Sequence, residues 1–379
     1  MRIGILTLPL HTNIGGVLQC YALQTVLQRM GHEVYVLNRE FGYPSFTELL
    51  NRLGSFVKCL IKVLVLKRKD VRIVNPFALS YYPSYPVCDN SPIENFAHKY
   101  VRQTKAIRSS KGLWKYVRSH DFECLIVGSD QVWRESYSPC ITDYFFGFLP
   151  SNVKIKKIAY AVSLGTRTNP ISSFNIRKCI KLAGNFDYIS VRETEGVDVM
   201  KTVFGLNVTH VLDPTLLLDS HDYEIFEKEN VCSELQTYLL DRDEVIDEIV
   251  DYIAERKNFV RSDISTVQIK DTCVQPSVEY WLSALKHSKF IVTNSFHGCV
   301  FSILFKKDFI VILNGKRGAG RFYSLLDAFG LHHRLIMGMN DLRSKEETLL
   351  KPIDYALVFE RYDKMKAYSL AFLGKALAD

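Results

Sequence analysis

Phe290-Ile291-Val292-Thr293-Asn294-Ser295-Phe296-His297-Gly298 is an apolar run that ends in a polar turn carrying a histidine. An amphipathic segment, Val278 to His287, precedes it, and a helix-like stretch, Cys299 to Phe305, leads on to a second apolar run, Phe309 to Leu313. Helix, strand, turn, helix, strand is the rhythm of a doubly wound α/β domain. A histidine at the carboxyl end of such a strand, with glycine opening the next helix, stands where open α/β sheets bind ligands. Backbone N–H groups at that helix start also favour an anion. His297 is therefore the first candidate for chemistry.

The same rhythm opens the chain. Ile3 to Leu8 reads as a strand, Pro9 to Gly16 as a loop, and the segment up to Gly31 as a helix with the apolar stripe Leu23, Val26, Leu27 and Met30. Gly31 suits a helix C-cap, and Val34 to Leu37 is the next strand. The pattern loosens from Phe41 to Ser110, a basic helical and loop insertion that contains Tyr81-Tyr82-Pro83-Ser84-Tyr85-Pro86. Alternation returns with Cys124–Val127, Ile158–Val162, Tyr188–Val191 and Val208–Leu212, then with Thr237–Leu240 and Glu244–Arg256. A chain of 379 residues is long for one core and comfortable for two. The expected division is 1–215, with the insertion near 41–110, then 216–335, then a helical segment 336–379 whose amphipathic stretch Asp354 to Leu377 packs back on the first domain.

Hydrophobic content of 47% and charged content of 23% are ordinary for a water-soluble globular fold. Nine cysteines without a CxxC pair point to reduced thiols in a cytosolic protein, and to neither a disulfide framework nor a zinc site. Met1 to Leu8 reads as a strand and not a signal peptide, because Pro9 stops the apolar run early. No apolar run reaches bilayer-spanning length. Much of the net charge of +7 lies between Arg52 and Arg72, where lysines interleave with Phe56, Val57, Leu60, Ile61, Val63 and Leu64. Such a basic amphipathic helix either lies on an anionic membrane or packs on its own domain with lysines snorkelling to water. Nucleic acid is not expected, since no reader motif accompanies the charge.

Four further stretches stand at strand ends. Asn13-Ile14-Gly15-Gly16 lets a backbone approach a ligand closely, although it lacks the GxGxxG spacing of a dinucleotide site. Gly128-Ser129-Asp130-Gln131-Val132-Trp133 offers a carboxylate suited to proton transfer or hydroxyl binding; the plain alternative is an aspartate capping the next helix. Arg192 suits bidentate binding of carboxylate or phosphate, or else a salt bridge to Glu193. Lys316-Arg317-Gly318-Ala319-Gly320-Arg321 is either an anion clamp or a solvated basic loop. His297, His332 and His333 have no acidic partner at metal-ligand spacing, so no metal is expected, and no GxSxG elbow supports a serine nucleophile.

Taken in order, Arg2-Ile3-Gly4-Ile5-Leu6-Thr7, Asn13-Ile14-Gly15-Gly16, Gly128-Ser129-Asp130-Gln131-Val132-Trp133, Ser190-Val191-Arg192-Glu193, Leu212-Asp213-Pro214-Thr215, Asn294-Ser295-Phe296-His297-Gly298 and Arg321-Phe322 resemble the polysaccharide pyruvyl transferase family. The resemblance implies two Rossmann-like doubly wound domains facing a cleft, similar to the GT-B architecture. It implies transfer of a carboxyethylidene group from phosphoenolpyruvate, a co-substrate and not a cofactor, to two hydroxyls of one sugar. The acceptor it points to is a galactose 4,6-diol of a polyprenyl-diphosphate-linked oligosaccharide in capsule or exopolysaccharide synthesis. The setting would be the cytoplasm, at the inner face of the membrane.

By the same resemblance Arg192 and His297 bind the donor; Asp130 is the catalytic candidate for proton transfer or for sugar binding, and His297 is phosphate ligand, general acid or both. Ser295 belongs to the donor site, and Asn13, Gly15, Gly16, Gln131 and Trp133 to the acceptor site. One departure matters: relatives often have Arg-Leu-His where this chain has Ser295-Phe296-His297, so Arg317 or Arg321 is expected to supply the missing charge. Two other readings use the same features: a GT-B glycosyltransferase with a nucleotide sugar, and a non-catalytic carbohydrate-binding scaffold.

Overall fold

Strands that read as uninterrupted apolar runs need cover on both faces, and the computed structural model gives it to them. It describes residues 1–42, 46–67, 73, 75–77, 88–228, 232–265, 267–269, 272–313 and 318–378. Arg317 and the Tyr81–Pro86 stretch lie outside the described residues.

The first domain holds β1 (Arg2–Leu6), α1 (Ile14–Arg29), β2 (Glu33–Val36), α2 (Phe46–Leu64), β3 (Cys88–Asp89), α3 (Ser91–Tyr100), α4 (Ser110–Arg118), β4 (Cys124–Val127), β5 (Lys156–Val162), α5 (Ile176–Ala183), β6 (Tyr188–Val191), α6 (Thr194–Thr202) and β7 (Thr209–His210). Its parallel sheet runs β2-β1-β4-β5-β6-β7. The second domain holds β8 (Ser233–Tyr238), α7 (Glu244–Lys257), β9 (Arg261–Asp263), β10 (Val267–Ile269), β11 (Thr272–Val274), α8 (Val278–Lys286), β12 (Ser288–Thr293), α9 (Phe296–Leu304), β13 (Asp308–Ile312), α10 (Gly320–Phe329) and β14 (Leu335–Ile336). Its sheet, again parallel, runs β14-β13-β12-β8-β9. Strand order reverses between β1 and β4 in one sheet and between β8 and β12 in the other. Those switch points are where doubly wound sheets open a ligand crevice.

Side chains alternate between cores with period two, as the pleat requires. Ile3, Ile5, Cys124 and Ile126 point into a central core, while Leu6, Leu125 and Val127 point into an outer one. In the second sheet Ile291, Phe309 and Val311 join that same central core, and Phe290, Val292, Ile310 and Ile312 form a third. The central core therefore runs through both domains without a break.

The segment 336–379 is two helices with different attachments. Helix α11 (Met339–Leu350) packs on α7, where Glu346 accepts from Tyr252 at 2.8 Å. Helix α12 (Tyr355–Ala378) starts on the second domain and ends on the first. The Tyr355 hydroxyl donates to the Ser302 carbonyl at 3.2 Å, and the Tyr362 hydroxyl to Leu216 and Leu218 at 2.9 and 3.1 Å. Further on, Ser369 accepts from Leu212 N at 3.0 Å, and Phe372 packs edge-on to Tyr188.

One expectation is corrected here. Cys88 and Cys273, separated by 185 residues, are joined by a disulfide. They are register partners in the small sheet β10-β11-β3, in which the insertion pairs with the second domain. A pairing made by long-range strand register leaves no local cysteine spacing to read. Among the described residues no helix is long and apolar enough to cross a membrane.

Candidate functional site

Four helices begin in two adjoining places: α1 at Ile14 and α9 at Phe296 start on the interdomain cleft, while α6 at Thr194 and α10 at Gly320 start at a smaller pocket that shares Arg321 with it. Each start carries unpaired backbone N–H groups and the positive end of a helix dipole. Two starts are capped by side chains. Asn13 accepts from Gly15 N at 3.0 Å, and Ser295 accepts from Gly298 N at 3.4 Å. Ser295 thus works first as a helix cap, and it also lines the cleft.

Helices α1 and α9 meet nearly tip to tip. A Cβ built on Gly15 would lie 1.9 Å from His297 Nδ1, so only glycine lets the first domain reach that ring. A Cβ on Gly16 would lie 3.4 Å from Asp130 Oδ2, an ordinary contact. The two glycines differ sharply in necessity.

Around His297 lies a buried ionic network. Arg192, 4% exposed at the end of β6, donates Nη1 to Asp213 Oδ2 at 2.8 Å, pairs through Nε with Glu193 at 3.4 Å, and stands 3.8 Å from Asp130 Oδ1. Asp213 is fully enclosed: it also accepts from Ser129 Oγ at 3.0 Å and from Thr215 Oγ1 at 2.6 Å, and lies 3.8 Å from His297 Nε2. The Phe296 ring sits 4.4 Å from the Arg192 guanidinium and 5.7 Å from that of Arg321, a cation–π bracket.

Three nitrogens make no hydrogen bond in this buried setting, although two of them stand 3.8 Å from a carboxylate. Arg192 Nη2, Arg321 Nε and His297 Nε2 have no hydrogen-bond partner among the described residues. Buried donors left open are rare in folded proteins and mark places where something else binds.

Protonation follows the same geometry. Burial lowers His297 to about 4 against the raising pull of Asp213, so its ring is neutral at pH 7. Burial and then the neighbouring Arg192 lower Arg321 to about 10. Burial raises Glu193 above the usual carboxylate range despite Arg192. For Asp213 burial pulls upward, but Arg192, His297 and Thr215 outweigh it and hold the carboxyl low. Burial would lower Arg192, yet Glu193, Asp213 and Asp130 together keep it above its ordinary value.

The network opens on a cleft of about 710 Å³ between the domains. Asn13, Gly16, Asp130, Gln131, Ser295, His297 and Arg321 all line it. Asp130 is not a helix cap: it sits in left-handed backbone at φ 76°, and its carbonyl accepts from Ser163 N at 3.0 Å. Arg192 lies beneath the wall. Trp133 departs from its expected place. Its ring is fully buried, stacks on Phe145 at 4.5 Å and donates to the Tyr144 carbonyl, which makes it a core residue away from the cleft. His332 pairs with Asp327 at the surface.

Sequence reasoning leaves Asp213 and Ser129 without roles, although both stand in the quoted motifs, whereas Glu193 makes the ion pair with Arg192 that was its alternative reading. It also missed the cleft residues His11, Phe41, Tyr137 and Tyr238. For His11 the signal was present: it lies in the loop after the first strand.

The architecture is shared with nucleotide-sugar enzymes. The chain is 10% identical to UDP-GlcNAc 2-epimerase from Neisseria meningitidis, solved bound to UDP-GlcNAc, with a TM-score of 0.50 over 100% of this chain and 99% of that one. It is likewise 10% identical to a UGT transferase from Siraitia grosvenorii in complex with UDP, with a TM-score of 0.50 and all of both chains covered. At that identity the likeness is one of fold: two Rossmann-like domains in a GT-B arrangement. No curated protein sequence matches the chain. The family model for polysaccharide pyruvyl transferase matches residues 13–316, a span that runs from the Asn13 cap past His297. Arg192, Asp213, His297 and most of the cleft lining fall inside it, with Arg321 just beyond its end, and the chain belongs to the polysaccharide pyruvyl transferase family.

Proposed function

We propose that this protein transfers the carboxyethylidene group of phosphoenolpyruvate to two hydroxyls of one sugar, forming a cyclic pyruvate ketal and releasing phosphate. The observation that supports the reading most is the set of three buried nitrogens without a hydrogen bond, Arg192 Nη2, Arg321 Nε and His297 Nε2, beside the N-termini of α1 and α9. A donor bearing both carboxylate and phosphate needs such fixed, desolvated N–H groups. Arg321 takes the place of the arginine that relatives carry where this chain has Ser295.

In this scheme one sugar hydroxyl adds to the central carbon of the donor, and a proton reaches the methylene carbon, making it a methyl group. The second hydroxyl then forms the second C–O bond as the C–O bond to phosphate breaks. The two hydroxyl protons end on the methyl group and on phosphate, so the reaction balances without any other reactant. Asp130, facing the cleft 3.8 Å from Arg192, is placed to carry a proton between hydroxyl and methylene. His297, neutral in the fold, contacts the phosphate, takes up the proton of the second hydroxyl and passes it to the phosphate as it leaves. Asp213 touches neither substrate; it positions Arg192 and His297 from behind.

The acceptor fills the rest of the cleft, along Asn13, Gln131 and Tyr137. A galactose 4,6-diol on a polyprenyl-diphosphate-linked oligosaccharide is the acceptor we put forward, which would give the enzyme a role in capsule or exopolysaccharide synthesis. The test supplies phosphoenolpyruvate with a panel of soluble and lipid-linked β-galactosides and reads phosphate release and product mass together. Phosphate matched by a carboxyethylidene mass gain, and lost in His297→Ala, is the expected result. No product, with thermal protection by a UDP-sugar and none by phosphoenolpyruvate, would overturn it in favour of glycosyl transfer.

A further inference from the structure

Helix α2 is the least integrated element of the fold, and its surface has a definite pattern. None of its described side chains is buried. Leu49, Leu53, Phe56, Leu60 and Val63 are half-buried and form one row along the helix. Beside that row runs a second, Leu50, Val57, Ile61 and Leu64, continued by Val65 and Leu66, and each of these is at least 50% exposed. Spacings of three, four and seven residues put Leu50, Val57, Ile61 and Leu64 on one stripe. Lys58 and Lys62, both exposed, each lie one residue and so about 100° round the helix from Val57 and Ile61. A further exposed lysine, Lys67, stands just past the helix end.

The half-buried row joins none of the three hydrophobic cores, and the aliphatic row beside it, with its flanking lysines, is more exposed still. A continuous exposed aliphatic stripe of this length marks a contact surface. Aliphatic side chains edged by lysine ammonium groups match the boundary between anionic headgroups and acyl chains.

The position of the helix gives that contact a purpose. Phe41 lines the interdomain cleft, and α2 begins at Phe46, five residues later. A bilayer bound by α2 therefore meets the chain only a few residues in sequence from a residue that lines the cleft.

We infer that the exposed face of α2 binds an anionic lipid bilayer in the plane of its surface and holds the cleft there. This surface does not depend on the donor chemistry proposed above, so it is tested without donor or acceptor. Purified full-length protein is sedimented with vesicles of phosphatidylcholine alone and with vesicles containing phosphatidylglycerol. The expected result is binding to the anionic vesicles only, weakened by salt. Lys58→Gln with Lys62→Gln should lower the partition coefficient about 25-fold, at roughly fivefold per lysine. Val57→Asp with Ile61→Asp should abolish it, with thermal midpoint and circular dichroism unchanged, because none of the four side chains is buried.

Three results would overturn the inference: no partition onto anionic vesicles, partition that neither double variant changes, or a solution dimer broken by Val57→Asp/Ile61→Asp that vesicles do not compete with. The last would assign the stripe to a second copy of the chain. Pyruvyl transfer to a soluble acceptor should be the same in both double variants, which keeps this test separate from that of the reaction.

Discussion

Gly15 and His297 are the residues through which the two domains meet at the site, and the fit allows no extra atom. Replacing Gly15 by alanine would put a methyl group into the imidazole, so the ring must move by an ångström or more. Misplacement of that size costs on the order of 10²-fold in rate, so Gly15→Ala should lose about that factor in kcat/KM. Gly16→Ala, which meets only an ordinary contact, should lose far less; equal losses would count against this geometry. A second expectation concerns protons. His297 sits at about 4 in the fold against 6.5 in a free chain, so it favours stability above pH 6.5 and that contribution fades as pH falls towards 4. An anion at its Nε2 raises it again, so binding inorganic phosphate at pH 6 should take up a proton and weaken as pH rises. Titration calorimetry in two buffers of different ionisation heat measures this; identical heats, or the same uptake in His297→Gln, would refute it. Arg192, Asp130 and His297 were legible because each follows a recognisable strand. Asp213 was quoted as part of a motif but given no role, since its partners lie 84 residues away at Ser129 and 21 away at Arg192. Trp133 misled for the opposite reason: adjacency to Asp130 does not say which way a ring turns.

Strands of four or more residues were readable from sequence, and of the shorter ones only β7 was, inside the expected run Val208–Leu212. Strands β4 and β6 begin and end where the apolar runs do, and α8, α9 and β13 differ from expectation by only a few residues. Strands β9, β10, β11 and β14, of two or three residues each, carry too few side chains to display a period. That is why the small sheet β10-β11-β3 was not anticipated, and with it the Cys88–Cys273 link. A cross-link closing a loop of this size limits the unfolded chain, and such bonds typically stabilise by about 2–4 kcal/mol. Dithiothreitol should therefore lower the thermal midpoint, Cys88→Ser should lower it by a similar amount, and the reductant should have no further effect on that variant. A midpoint indifferent to both would show that the bond contributes nothing.

At the scale of the molecule, the division into two sheets was legible but their fusion was not. Periodicity reports which face of a strand is apolar and is silent on what covers it, so the central core shared by Ile5 and Ile291 appears only in three dimensions. A large apolar contact of this kind resists free rocking of one domain on the other. Helix α12 adds to that resistance: its 24 residues span about 36 Å at 1.5 Å per residue, with Tyr355 fixed to the second domain and Phe372 to the first. Ala367 is an exposed position within it. Ala367→Pro removes no buried side chain, yet it should kink the helix at a cost of about 3 kcal/mol and reduce turnover without touching a cleft residue. Ala367→Gly, about 1 kcal/mol less favourable than alanine, should leave turnover nearly intact. Steady-state kinetics on both variants decides the matter, and wild-type rates in the proline variant would sink it. In an engineer's terms α12 is a tie-rod: it sets the gap between two jaws from outside. The distance between Arg192 on one jaw and His297 on the other is then governed by a part that no substrate touches.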